Sequence, residues 1–118
     1  MNFGSKALTP CTQSSVALSD DEINSLLNEL GNWCYVTENK APKITKHFTF
    51  KNYLSAIEFA NKVATIAEQE NHHPRICIEW GKVTIDWWTH SINGLFINDF
   101  IMAARCDIIF NELKQQES

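Results

Sequence analysis

The sequence predicts a single α+β domain in which three helices cover a four-stranded antiparallel sheet. Three observations support this fold class. Apolar residues recur with the helical period in three segments, and two pairs of strand-like segments lie between those helices, the first rich in aromatic and β-branched residues and the second alternating with the strand period. The chain has 118 residues, of which 44% are hydrophobic, and this is enough for one core of ordinary size. The predicted order is therefore α-β-β-α-β-β-α.

The first helix is predicted at residues 20–30. Ser19 and Glu22 have the spacing of a capping box at its start, and Gly31 is suited to end it. Its apolar side chains lie three and four residues apart, at Ile23, Leu26, Leu27 and Leu30.

Residues 33–37 and 44–50 are rich in aromatic and β-branched side chains on either side of a polar turn, so we expect them to pair as a hairpin.

The second half of the chain repeats this order of helix and hairpin. A long amphipathic helix is predicted from Asn52, and Pro74 is expected to force its end. Residues 76–80 and 83–88 alternate around a turn at Gly81-Lys82 and predict a second hairpin. The apolar face of the last helix is predicted at Ile97, Ile101, Ala104 and Ile108. We divide the chain into a flexible leader at 1–18, the domain at 19–113 and a polar tail at 114–118.

Composition excludes several classes of function. Ten Lys and Arg against 14 Asp and Glu give a net charge of −4, so a broad cationic surface for nucleic acid or for an anionic membrane has no support. No apolar run approaches the length of about 20 residues that spans a bilayer. The four cysteines lack the C-x-x-C spacing, and no secretory signal is present. We therefore expect reduced thiols and a cytoplasmic protein.

The histidines are the main candidates for chemistry. His72 and His73 are adjacent, follow the predicted second helix and precede Pro74. Glu68 lies four residues before His72, so on a helix the two side chains share one face and the carboxylate could orient the imidazole. His90 stands at the end of the fourth strand, where functional groups are often displayed.

Each of these residues also has an ordinary structural interpretation. A His at a helix end is often a C-cap, and Asp99 near the start of the last helix is a favourable acid at a helix N-terminus. A carboxylate such as Glu68 is usually solvated. Three tryptophans are more typical of core and interface packing than of ligand stacking, namely Trp80, Trp87 and Trp88.

The spacing of the whole set is more specific than any member. The chain reads E-x-x-x-H-H-P from Glu68 to Pro74, then an aromatic at Trp80, T-H at Thr89-His90, G-L at 94–95 and an acid at Asp99. In this it strongly resembles the pterin-4a-carbinolamine dehydratases, over roughly residues 19–113. The resemblance extends to the predicted central strands, H-H-P-R-I-C-I-E-W-G-K-V-T-I-D-W-W-T-H, and to the last helix, N-D-F-I-M-A-A-R-C-D.

Two features depart from the family's pattern. Phe96 follows G-L where the family usually has Thr or Ser, so the cap of the last helix is expected to fall to another residue such as Asn98. Trp87-Trp88 is bulkier than the residues that usually precede T-H, which bears on the width of the pocket.

The resemblance implies an activity. Enzymes of this family dehydrate 4a-hydroxytetrahydrobiopterin to quinonoid dihydropterin and water, and so recycle the pterin used by aromatic amino acid hydroxylases. The step needs one acid and one base, and it needs no redox cofactor and no metal. The implied partners are the carbinolamine substrate, a hydroxylase as metabolic partner and further copies of the chain in a homodimer or homotetramer.

The family's roles transfer to matching positions. The resemblance implies that His72 and His90 transfer protons, that His73 binds and orients the substrate and that Glu68 positions His72. Asp99 would position a neighbouring His or hold the loop after Thr89-His90. The predicted substrate-binding set is His72, His73, Pro74, Trp80, Thr89, His90, Ser91 and Ile92. Imidazole suits both proton transfers, because its unperturbed pKa of about 6.5 leaves both protonation states accessible near neutral pH.

Two alternatives remain open. One is a metal-dependent hydrolase in which His72, His73, His90 and Asp99 surround zinc or iron, although adjacent histidines rarely point at one ion from a regular element. The other is a non-enzymatic binding or dimerisation module of the same fold, because a fold alone does not imply one function.

Overall fold

The computed structural model describes residues 3–11, 15–37 and 42–117. It confirms the predicted order of elements and one four-stranded antiparallel sheet with strand order β1-β2-β4-β3. The helices are α1 (Asp20–Leu30), α2 (Tyr53–Glu70) and α3 (Ile97–Glu117), and the strands are β1 (Cys34–Val36), β2 (Lys43–Thr49), β3 (Arg75–Glu79) and β4 (Lys82–Trp87). Short 3₁₀ turns lie at Phe3–Ser5 and His90–Ile92. Most of the predicted polar turn of the first hairpin, 38–41, lies outside the described residues.

The two predicted hairpins meet at the centre of the sheet. β2 pairs with β4 along its length, so that Ile44 lies opposite Trp87 and Phe48 opposite Val83. These four side chains are almost fully buried. The Phe48 ring lies 4.7 Å from the ring of Phe59 in α2, measured between centroids, and close contacts of this kind hold α2 and α3 against the sheet.

The caps of α1 are those that the sequence predicts. The Ser19 hydroxyl accepts a hydrogen bond from the Glu22 N–H at 3.2 Å, and the Glu22 carboxylate accepts one from the Ser19 N–H at 3.0 Å. The pKa of Glu22 is lowered, mainly by that hydrogen bond from the Ser19 backbone. Gly31 follows the helix with a φ of 75°, which favours glycine.

The end of α2 differs from the prediction. The helix ends at Glu70 because Asn71 takes the left-handed conformation, with a φ of 52°. The N–H groups of Asn71 and His72 both close back on the carbonyl of Ala67. Pro74 therefore does not force the helix end, and His72 and His73 lie beyond the helix, on the short link to β3.

The start of α3 also corrects an expectation. Phe96 occupies the position before the helix, and its N–H donates to Asp99 Oδ2 at 3.0 Å. Asp99 thus forms one half of a capping box, in which the carboxylate of the third helical residue accepts the N–H of the residue before the helix. Asn98 does not cap the helix. The Asn98 side chain bonds to Thr9 instead.

The buried face of α3 is rotated from the predicted one. Ile101 is buried as predicted, but Ile108 is 40% exposed and Ala104 is only half-buried. The core contacts are made by Met102, Ala103 and Cys106. The helix also runs to Glu117, so 114–117 of the predicted polar tail are helical.

The described residues of the leader lie against the domain. The turn at Phe3–Ser5 contacts α3, and the Leu18 N–H donates to the Leu95 carbonyl at 2.9 Å. The predicted boundary at residue 18 stays a prediction, and 1–2 and 12–14 lie outside the described residues. Across the described part of the chain, no helix combines the length and the apolar character that crossing a membrane requires.

Candidate active site

The candidate site is a cavity of about 450 Å³ at one end of the sheet. Four segments meet there: residues 8–11, the link after α2, the loop after β4 and the first turn of α3. His72, His73, Thr89, His90 and Ser91 all line this cavity. The structure therefore brings together the three histidines that the sequence singles out, although up to 18 positions separate them along the chain.

His72 is held by a buried carboxylate. Its Nε2 lies 2.7 Å from Asp99 Oδ1, and Asp99 is fully buried while 14% of the His72 side chain is exposed. The other carboxylate oxygen, Oδ2, accepts the Thr89 hydroxyl at 2.8 Å and the Phe96 N–H at 3.0 Å. These bonds fix the carboxylate, and the carboxylate fixes the imidazole. Because Nε2 faces Asp99, Nδ1 is the His72 nitrogen left for another partner.

Each of the two tryptophans before Thr89 contacts one histidine. The His72 ring stacks on the fully buried Trp87 ring, with 5.4 Å between centroids and 20° between planes. The His90 ring lies 4.5 Å from the Trp88 ring and is tilted by 49°. Successive residues of a strand point to opposite faces, so the pair can support two rings on different sides. The tryptophans thus support the histidines, and neither is among the lining residues of the cavity.

A closed loop presents His90. The Thr89 N–H donates to the Gly94 carbonyl at 2.9 Å, and the Gly94 N–H returns a bond to the Thr89 carbonyl at 3.4 Å. Asn93 takes the left-handed conformation, with a φ of 47°, and its N–H donates to the His90 carbonyl. These contacts hold His90 and Ser91 at the cavity.

Glu68 pairs with His73, and the prediction that it positions His72 is wrong. Glu68 Oε1 lies 2.6 Å from His73 Nε2, and the two side chains are 77% and 52% exposed. The four-residue spacing to His72 would hold on a continuous helix, but α2 ends at Glu70 and Asn71 turns the chain. Asp99 takes the position beside His72 instead.

Some predicted binding residues do not line the cavity. Trp80 is 77% exposed at the turn between β3 and β4, which is the far end of β4 from His90. β4 has six residues, so at about 3.3 Å per residue this places Trp80 well away from the cavity. The prediction that Trp80 lines the same cavity as His72 and His90 is wrong. Pro74 and Ile92 are also not among the lining residues.

Sequence reasoning missed one side of the cavity. Leu8, Thr9, Pro10 and Cys11 line it from the leader, together with Asn98 of α3. No local pattern marks this segment as part of a site, because its contacts with α3 are formed by residues that lie almost the whole chain apart.

The arrangement supports acid-base chemistry. Within residues 3–11, 15–37 and 42–117, no group of three or more His, Cys, Asp and Glu side chains is placed to hold a metal ion. The cavity offers three imidazoles: His72 is paired with the buried carboxylate of Asp99, His73 with the exposed carboxylate of Glu68, and His90 lies beside the Trp88 ring.

Comparison with known proteins finds members of one family. The family model described as "Pterin 4 alpha carbinolamine dehydratase" matches residues 16–109. A protein of Vibrio vulnificus named "Putative pterin-4-alpha-carbinolamine dehydratase" is 48% identical over 99 residues, which cover 84% of this chain and 90% of that protein. A protein of Chlorobium luteolum with the same name is 44% identical over 103 residues, covering 87% of this chain and 90% of its own length.

A solved structure shows the same fold. It is the crystal structure of a "transcriptional coactivator/pterin dehydratase" from Brucella melitensis, with a TM-score of 0.73 and 32% sequence identity. The match covers 79% of this chain and 97% of that chain.

Proposed function

The chain belongs to the pterin-4a-carbinolamine dehydratase family, and from this premise we propose that it is a hydro-lyase acting on 4a-hydroxytetrahydrobiopterin. It converts this carbinolamine to quinonoid dihydropterin and water. The observation that carries the proposal is that His72 and His90 line one cavity in different surroundings, with Asp99 bonded to His72.

The reaction is an elimination without redox change. The bond between C4a and the hydroxyl oxygen breaks, and the oxygen takes a proton to leave as water. The nitrogen at position 5 loses its proton, and the electron pair of that N–H bond forms the double bond to C4a. One acid and one base are therefore sufficient.

The surroundings of the two histidines suit them to different roles. The buried carboxylate of Asp99 stabilises positive charge on His72, so His72 is suited to carry the proton delivered to the leaving hydroxyl. Nδ1 is the nitrogen that would deliver it, because Nε2 is bonded to Asp99. His90 lies at the same cavity against the Trp88 ring, and in this proposal its imidazole takes the proton from nitrogen 5. Solvent then returns each histidine to its starting state.

In this proposal His73 binds the substrate. It stands at the cavity with its Nε2 held by Glu68, and both side chains are largely exposed. An exposed pair of this kind stabilises little by itself, so its contribution is to orient His73 toward a polar group of the substrate.

The metabolic setting follows from the family resemblance. We infer that an aromatic amino acid hydroxylase supplies the carbinolamine, that the chain acts in the cytoplasm as a homodimer or homotetramer, and that it needs no cofactor beyond the pterin it transforms.

The test is a rate measurement. A hydroxylase generates the carbinolamine, and the decay of its ultraviolet absorbance is followed with and without the chain and with His90→Ala. The proposal requires the carbinolamine to decay faster with the wild type than alone. It also requires the catalysed rate with His90→Ala to be about 10²-fold lower than that with the wild type. Decay at the spontaneous rate with folded wild type would reject the enzyme and leave the binding module as the better description.

A further inference from the structure

The leader forms one side of the candidate active site. Residues 8–11, which we call the strap, line the same cavity as His72 and His90. The strap lies before residue 16, where the match to the family model begins. The pocket of this chain therefore has a side built from residues outside the part that the family model matches.

A buried side chain anchors the strap. The Thr9 N–H donates to Asn98 Oδ1 at 2.8 Å, and Asn98 Nδ2 donates to the Thr9 carbonyl at 2.8 Å. Asn98 is only 7% exposed, so its amide bonds the strap backbone much as a neighbouring strand would. The anchor depends on the backbone of Thr9 and on the side chain of Asn98.

Contacts on both sides keep the strap in place. Before it, Arg105 Nη2 donates to the Lys6 carbonyl at 2.7 Å, while Arg105 Nη1 is bonded to Glu70 at 2.7 Å. After it, a Cβ added to Gly94 would lie 2.8 Å from the Cβ of Ala17, so only glycine allows the leader to pass this close to the loop after His90. The leader is thus bonded to α3 through Lys6, and it packs against the loop after His90 at Ala17.

We propose that the strap is a substrate-binding wall that sets the affinity for the pterin and leaves the chemical step to the histidines. This inference rests on the proposed function for the identity of the ligand. Leu8 and Pro10 line the cavity and offer apolar surface to a flat bicyclic ring, and Cys11 Sγ contacts the hydroxyl of Ser91 at 4.0 Å. Contacts remote from the reacting bond bind ground state and transition state alike, so they change KM and leave kcat nearly unchanged.

Two variants release the strap by independent routes. Thr9→Pro removes the N–H that donates to Asn98, and Asn98→Ala removes both anchoring bonds from the other side. Val16→Ala is the matched control, because Val16 belongs to the same leader, is 82% exposed and does not line the cavity. Trypsin cleavage after Lys6 reports the release, since a loosened segment is cut faster.

The expected result separates affinity from turnover. In both release variants we expect KM for the carbinolamine to rise about fivefold to tenfold and kcat to stay within about twofold, with Val16→Ala unchanged in both. The Kd for 7,8-dihydrobiopterin, a pterin without the 4a-hydroxyl, should rise by the same factor when it is measured by quenching of protein fluorescence.

The outcomes distinguish this inference from the proposed function. Unchanged KM and Kd in both variants, with faster cleavage after Lys6, would overturn the strap as a binding wall. If the wild type does not accelerate decay, the dehydratase proposal fails, and the Kd comparison still decides the role of the strap. Absence of dihydropterin binding by the wild type would overturn both the strap as a binding wall and the proposed dehydratase function.

Discussion

Asp99→Asn is the substitution that most directly probes how the site holds His72. It keeps the size of the side chain and removes its charge. The amide oxygen can occupy the position of Oδ2 and still accept from Thr89 and Phe96. The amide nitrogen then faces His72 Nε2, which lies 2.7 Å from Oδ1 in the wild type. Two N–H donors cannot share that contact, so His72 must present an unprotonated Nε2 and loses its support as an imidazolium.

The magnitude follows from the kind of bond that is lost. A hydrogen bond to a charged group contributes about 1.5–3 kcal/mol, which corresponds to a loss of roughly 10- to 150-fold in rate if the charge develops on His72 in the transition state. Asp99 is fully buried, so water cannot replace its carboxylate. The free energy of unfolding should fall by only about 1 kcal/mol, because the cap of α3 is retained.

The assay is kcat for decay of the carbinolamine at saturating substrate, with urea unfolding measured in parallel. Glu68→Gln is the matched control, because it removes the same charge from the exposed pair with His73. An exposed pair of this kind contributes at most about 1 kcal/mol. We expect kcat of Asp99→Asn to fall at least about twofold further than that of Glu68→Gln. Equal values of kcat in the wild type and a folded Asp99→Asn would refute the assignment of His72 as the charged partner.

Three further predictions concern stability. Ser19→Ala should lower the free energy of unfolding by about 1 kcal/mol in urea, because it removes the cap of α1, and Ser19→Thr should restore it. Asp86 is 1% exposed and accepts bonds from Lys43 at 3.1 Å and Arg75 at 3.2 Å, so Asp86→Ala should cost about 1–3 kcal/mol in the same assay. A change below about 0.3 kcal/mol would show that these bonds contribute nothing net. Burial raises the pKa of the Cys106 thiol from its ordinary 9.0 to about 12. The unfolded chain therefore ionises this thiol first, and its contribution to stability is complete below pH 9 and is lost as the pH rises to about 12. Between pH 9 and 12 the free energy of unfolding should fall less in Cys106→Ala than in the wild type. Equal slopes of unfolding free energy against pH in the two proteins would contradict the raised pKa of Cys106.

The parts of the fold that were predictable are those fixed by short-range chemistry. The bounds of α1 follow from Ser19, Glu22 and Gly31, which satisfy backbone groups within a few residues of themselves. The second hairpin follows from the alternation of apolar and polar side chains along its strands, and the first from aromatic and β-branched residues on either side of a polar turn. The family's pattern then indicated which histidines to examine, and the structure brings all three to one cavity.

The errors arise where a local conformation or a distant contact decides the outcome. The left-handed Asn71 ends α2 early and moves His72 away from Glu68, and neither change is visible in a helical spacing rule. The strap bonds to Asn98, which lies 89 residues from Thr9. The composition of the leader predicts flexibility, but it cannot show that a buried amide accepts and donates to its backbone.

The most direct test of the acid-base account is the rate of carbinolamine decay with the double variant His72→Ala/His90→Ala, measured beside each single variant. The account predicts that each single variant keeps part of the acceleration and that the folded double variant returns to the spontaneous rate. Wild-type acceleration in the double variant would contradict the central claim that these two imidazoles carry the proton transfers.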